Sequence, residues 1–272
     1  MTEPAVTFPM PGTVYGPVHS WRFGNSLGVD LIVETSTCSF NCVYCQLGQI
    51  QRITREQCVF VPTQRVIDDL KNVDWSSVDV VTFSGSGEPT LALNIDEVIA
   101  HIKDTYNKPV MILTNATWLF DAPTRKRLFR ADTIACKLDA WDDEMLQKFN
   151  RPADGVTLST ILAGIKALRS DGFPGKIALQ CMFMPMNKAG ADKLAALIHH
   201  LQPDEVQLNT PKRPYPREWY LGSRGNHDAP APVSEVHLKT ISMEEAVEIE
   251  RVIREANPGI PILSVYKDAS PS

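Results

Sequence analysis

The stretch Val29-Asp30-Leu31-Ile32-Val33-Glu34-Thr35-Ser36-Thr37-Cys38-Ser39-Phe40-Asn41-Cys42-Val43-Tyr44-Cys45 joins an apolar, β-branched run to three cysteines within eight positions. The run at 29–34 predicts a buried strand, and the cysteines fall on the loop that follows it. The same alternation continues downstream. Further strands are predicted at 78–84, 109–115, 133–139, 176–184 and 205–211, with helical patterns near 64–72, 94–106, 121–130, 142–150, 157–170 and 189–201. Six βα units in series imply a parallel sheet with right-handed crossovers. Six units rather than eight predict an α/β fold of the partial (βα)6 TIM-like barrel type, open on one side. A doubly wound open sheet is the alternative.

The organisation follows from this core. Residues 1–13 read as a tail, 14–211 as the barrel, and 212–272 as a Pro-rich lid segment with a closing helix and strand. The helix is marked by Ser242 and Glu245 at capping-box spacing before Ala246, Ile249 and Ile253. A short strand at 261–266 is predicted after it. With 43% hydrophobic residues the chain can bury a large core, and its net charge of −5 argues against broad electrostatic binding to nucleic acid or an anionic membrane. Neither a leader-like start nor a stretch of 18 apolar residues occurs, so a cytoplasmic location and no membrane partner are expected.

Six cysteines are too few for a disulfide scaffold in a chain of 272 residues, and three of them cluster. Thiolates this close can hold three irons of a cubane cluster and leave the fourth iron open to another ligand. Zinc is the alternative, but structural zinc takes four ligands in paired spacings, and no second pair follows. Cys58, Cys136 and Cys181 are expected to be non-ligands. At the end of the second predicted strand, Gly85-Ser86-Gly87-Glu88-Pro89 combines glycines that admit a ligand close to the backbone with an acid able to accept from an ammonium group.

These two motifs together resemble the radical S-adenosylmethionine superfamily: the spacing of Cys38, Cys42 and Cys45 with Tyr44 before the third cysteine, and the Gly85 to Pro89 loop. The resemblance implies a [4Fe-4S] cluster on the three cysteines. It also implies S-adenosylmethionine (SAM) held near Tyr44, Gly85, Ser86, Gly87, Glu88 and Asn115. Reductive cleavage to methionine and a 5′-deoxyadenosyl radical, which takes hydrogen from a substrate, would require a one-electron donor such as flavodoxin or ferredoxin. The substrate is expected to be a small molecule or an RNA nucleoside, with tRNA a weak candidate. An enzyme that installs a radical on a partner protein, or a non-catalytic iron–sulfur protein, are the other readings. The segments at 15–18, 26–30 and 137–140 are similar to a group of radical SAM enzymes usually placed near the tRNA wyosine-forming synthase. That synthase carries cysteines ahead of the main triad for a second cluster, and this chain has none before Cys38.

Strand alternation adds a polar interior face: Ala135, Lys137 and Asp139 oppose Ile134, Cys136 and Leu138, while Gln207 and Asn209 oppose Val206 and Leu208. Gln180 and Asn115 extend it toward the strand C-terminal ends, where βα enzymes place their sites. Lys137 and Asp139 are the candidate catalytic residues. An inward lysine must pair with an anion or lose its proton. Three roles follow: an ion pair with Asp139, neutralisation of the SAM carboxylate (preferred), or a Schiff base with a carbonyl substrate. Met182, Met184 and Met186 read as core or pocket filling. Lys212, Arg213, Arg217 and Arg224 read as a solvated lid face.

Overall fold

The chain enters the fold through a hairpin in which β1 (Val14–Ser20) runs antiparallel to β2 (Gly24–Val29). The computed structural model describes residues 12–211, 214–224 and 234–266. After the hairpin come β3 (Val80–Phe83), β4 (Val110–Thr114), β5 (Thr133–Lys137), β6 (Lys176–Met182), β7 (Glu205–Asn209) and β8 (Ile262–Ser264). These eight strands form one sheet in sequential order, and every neighbour pair from β2 to β8 is parallel. A doubly wound sheet would reverse direction at a switch point. This one never does, so all crossover helices lie on one face and the sheet curls into a partial barrel.

The helices are α1 (Thr63–Leu70), α2 (Ile95–Tyr106), α3 (Ala122–Arg127), α4 (Asp143–Phe149), α5 (Leu158–Ser170), α6 (Ala191–Leu201) and α7 (Met243–Ala256). Side-chain caps set several starts: Asp142 and Thr157 accept from the N3 amides of α4 and α5, and Ser242 with Glu245 closes the expected capping box of α7. The helix-facing core takes Ile134, Cys136 and Leu138, then Ile177, Leu179 and Cys181, then Val206 and Leu208. Alternation therefore reads as expected through these strands, and Cys136 and Cys181 are core thiols.

Two boundaries differ from the sequence reading. The first parallel strand ends at Val29, because the buried Asp30 carboxylate accepts from the Ile32 and Val33 amides and turns the chain. Val33 then adopts φ +59°, so the apolar residues 31–33 are buried as a turn and not as a strand. At the other end, β8 pairs with β7 in parallel, so the sheet extends beyond residue 211. Among the described residues no helix is long and apolar enough to cross a membrane.

Candidate active site

The turn at Asp30 organises the C-terminal mouth of the barrel. Asp30 is 1% exposed, and besides the two amides of its own turn it accepts from the Ser86 amide at 3.0 Å and the Ser86 hydroxyl at 2.6 Å. Its last partner is Arg224, whose Nη1 lies 3.0 Å away and whose Cζ sits 5.1 Å from the centroid of the Tyr15 ring. Gly85, at φ +118°, passes so near that a Cβ would stand 2.4 Å from the Asp30 Cγ. One buried carboxylate thus ties the end of β2, the glycine loop and the C-terminal segment together.

The cysteine loop is fastened to that glycine loop. The Thr37 amide donates to the Ser86 carbonyl at 2.9 Å, and the Glu88 amide donates to the Thr37 carbonyl at 3.1 Å. A Cβ on Gly87 would lie 1.7 Å from the Thr37 carbonyl oxygen, so only glycine permits the two loops to meet. Cys38, Cys42 and Cys45 all line one cavity of about 570 Å³ that runs down the barrel interior. Their sulfurs receive protein hydrogen bonds: the Phe40 amide at 3.3 Å and Asn115 Nδ2 at 3.6 Å to Cys38 Sγ, and Asn150 Nδ2 at 3.4 Å to Cys42 Sγ. Burial raises all three thiol pKa values, that of Cys42 to about 12. For Cys38 the Glu88 charge adds to burial, and for Cys42 the Asp139 charge does, whereas Lys137 acts in the opposite sense on Cys42 and Cys45.

The structure divides the expected site residues. Tyr44, Gly85, Gly87, Glu88, Asn115 and Lys137 line the cavity with the cysteines. Ser86 does not: it is fully buried and both its amide and its hydroxyl are spent on Asp30. Glu88 is heavily committed, since Oε1 accepts from the Thr90 amide and hydroxyl and the Thr114 hydroxyl, and Oε2 from the Asn115 amide. Burial still raises its pKa, against these four bonds. Asp139 is committed elsewhere. The ladder runs one residue past β5, where the Leu138 amide donates to the Gln180 carbonyl and Leu138 packs in the helix-facing core, so Asp139 follows on the other side. Its carboxylate accepts from the Tyr44 hydroxyl, Asn150 Nδ2 and the Met182 amide. Of the three roles considered for Lys137, the ion pair with Asp139 is not formed. Lys137 lies over the Tyr44 ring with Nζ 4.8 Å from its centroid.

Two lesser readings change as well. Arg224 is not a solvated lid residue, because its side chain is only 10% exposed against Asp30; Arg217 is exposed as expected, and Lys212 and Arg213 lie outside the described residues. Met182 and Met184 pack with Tyr44 and Phe149, whereas Met186 is exposed. Asp30 and Asn150 are contacts of the site that the sequence reading did not single out. The aspartate just before an apolar run is a legible turn signal, whereas Asn150 has no local signature.

A model of the Radical SAM superfamily matches residues 32–198, more than half of the chain. The chain belongs to the radical SAM superfamily. It is 41% identical over 259 residues to the UPF0026 protein slr1464 of Synechocystis sp., covering 94% of this chain and 96% of that one. With the UPF0026 protein MJ1312 of Methanocaldococcus jannaschii it shares 31% identity over 214 residues, or 76% and 65% of the two chains. Among solved structures, SuiB of Streptococcus suis bound to S-adenosylmethionine superposes with TM-score 0.62 at 16% identity, over 89% of this chain and 52% of SuiB. TYW1 with a lysine-pyruvate adduct bound superposes with TM-score 0.60 at 13% identity, over 86% and 75%.

Radical SAM proteins use a [4Fe-4S] cluster and SAM, and cysteines are present on the loop of this chain described above. Its residues fit that group. Three thiols face one cavity, and a cluster bound there would be held by them as thiolates. Among the described residues no three His, Cys, Asp or Glu side chains converge closely enough for a single metal ion, and a cubane spreads its ligands more widely than one zinc does.

Proposed function

We propose that the protein is a radical SAM enzyme that cleaves SAM reductively and uses the resulting 5′-deoxyadenosyl radical to take hydrogen from a small molecule or nucleoside held inside the barrel. The observation that carries this reading is a single cavity joining the three thiols, the glycine loop, Lys137 and the polar residues Gln180 and Asn209. When bound and reduced, the cluster supplies the electron for SAM cleavage. The chain's own residues position the reactants. Cys38, Cys42 and Cys45 hold the cluster, Asn115 and Asn150 donate to two of the sulfurs, and Gly85 and Gly87 leave the backbone open to the methionyl end of SAM.

Glu88 acts as a brace that fixes the Thr114 and Asn115 ends of β4 more than as an ammonium acceptor, given its four protein donors. Lys137, with no ion pair among the described residues, neutralises the SAM carboxylate. A second reading of Lys137, imine formation with a carbonyl substrate, is favoured by the lysine adduct in TYW1. Asp139 serves as a positioning residue that sets the Tyr44 ring under Lys137. The electron arrives from a flavodoxin or ferredoxin. The test is anaerobic reconstitution, reduction with dithionite in the presence of SAM, and mass spectrometry for 5′-deoxyadenosine. Formation above the level of Cys38→Ala supports the reading, and equality with that variant overturns it. Trapping with borohydride separates the two roles of Lys137.

A further inference from the structure

The opposite end of the cavity from the thiols is closed by the turn between β1 and β2, where Trp21, Arg22 and Phe23 all line it. Arg22 has an unusual setting. Its Cζ lies 5.2 Å from the Trp21 ring centroid and 5.4 Å from that of Phe23, so the guanidinium rests against two aromatic faces. Nη1 donates to Gln207 Oε1 at 2.8 Å. Nε is buried and has no hydrogen-bond partner among the described residues. The acid whose charge acts on it, Glu205, is itself bonded to Gln207 Nε2 at 2.8 Å and makes no ion pair with the arginine.

Arg22 is half-buried with its Nε out of contact with water, and a guanidinium so placed without a counter-ion gains when an oxyanion arrives. Nε and Nη2 share the edge of the fork that Gln207 leaves open. Two parallel N–H donors on one edge match a carboxylate or a phosphate and suit a neutral group poorly. Burial lowers the Arg22 pKa to about 10, which leaves the side chain charged at neutral pH. Apolar Met111 and Leu113 line the same cavity, so the charge is focused at one end of it.

We infer that Arg22 is an oxyanion-binding residue at the floor of the substrate cavity, and that the substrate carries a carboxylate or phosphate which docks on its Nε and Nη2 edge. This rests on the proposed use of the cavity for substrate and adds the chemical class of that substrate. An anion anchored at the strand N-terminal ends fixes the register of the molecule along the barrel. Its other end is thereby presented toward the thiols.

The test uses the cluster-loaded protein with SAM and isothermal titration calorimetry against three probes of similar shape: phenylacetate, phenyl phosphate and the neutral 2-phenylacetamide. At least one anion is expected to bind tenfold or more tightly than the amide, and the preference between the two anions tells carboxylate from phosphate. Arg22→Gln should abolish that tenfold difference with amide affinity unchanged, and Arg22→Lys, which keeps charge without the fork, should fall between. Iron content and cluster absorbance report whether each variant has assembled. Equal binding of acids and amide by the wild type, no binding of either acid, or unchanged acid affinity in Arg22→Gln overturns the inference. If Arg22→Gln fails to assemble, the wild-type ratio of acid to amide decides alone. Absence of 5′-deoxyadenosine formation would refute the proposed reaction while leaving the anion site standing or falling on these affinities.

Discussion

Replacing Asp30 by asparagine tests the claim that one buried carboxylate holds the mouth of the barrel. The asparagine Oδ1 can still accept from the Ile32 and Val33 amides, but its NH2 then faces the Ser86 amide, the Ser86 hydroxyl and Arg224 Nη1, all of them donors. Removing one member of a buried ion pair costs about 3–5 kcal/mol, much of it the burden of the remaining charge. Because the turn itself survives, the lower end, about 3 kcal/mol, is expected. Against a domain stability of about 5–15 kcal/mol this is a large loss. It is measured by urea unfolding of the cluster-free protein, so that cluster loss does not add a second transition. Arg224→Met leaves Asp30 its other four donors and should cost only about 1–2 kcal/mol. The double variant no longer buries an unpaired cation and should be more stable than the sum of the singles by about 1 kcal/mol or more. A loss under about 1 kcal/mol in Asp30→Asn, or simple additivity, would refute the reasoning.

Iron and sulfide content should collapse in Cys38→Ala, Cys42→Ala and Cys45→Ala, and stay near wild type in Cys58→Ala, by colorimetric assay of reconstituted protein. Gly87→Val should lose the cluster as well as SAM binding, because its Cβ meets the Thr37 carbonyl at 1.7 Å; retention of full iron would show that the loops can separate harmlessly. Lys137→Arg should keep appreciable uncoupled SAM cleavage and Lys137→Ala should lose at least tenfold, an order-of-magnitude expectation for a charge-assisted contact. Tyr15, hydrogen-bonded to Ser84 and raised to about 12 chiefly by burial, holds its proton more tightly when folded. Its contribution is complete below the ordinary tyrosine value near 10 and is lost as pH rises through about 12. Urea midpoints should therefore fall more steeply across that window in wild type than in Tyr15→Phe.

Much of the site was legible from residue spacing. The three cysteines, Tyr44, Gly85, Gly87 and Asn115 come together because the loops that carry them follow consecutive parallel strands, and such loops gather at one end of any curled sheet. What spacing cannot convey is which groups are already satisfied. Ser86 and Asp139 have the right chemistry and neighbourhood, yet Asp30 takes one and Tyr44, Asn150 and Met182 take the other.

By itself, the order of apolar runs determined a parallel βα sheet, since sequential βα units take right-handed crossovers, while the observed strand order decided that it is singly and not doubly wound. The cysteine spacing determined that three thiols share one loop, because groups so close in the chain must remain close in space. Tertiary structure alone decided the contacts between residues far apart in sequence. Asp30 meets Arg224 across 194 positions, and Arg22 reaches Gln207 across 185. No local pattern encodes such pairs: they depend on how the sheet curls and on which distant groups it brings beside a buried charge.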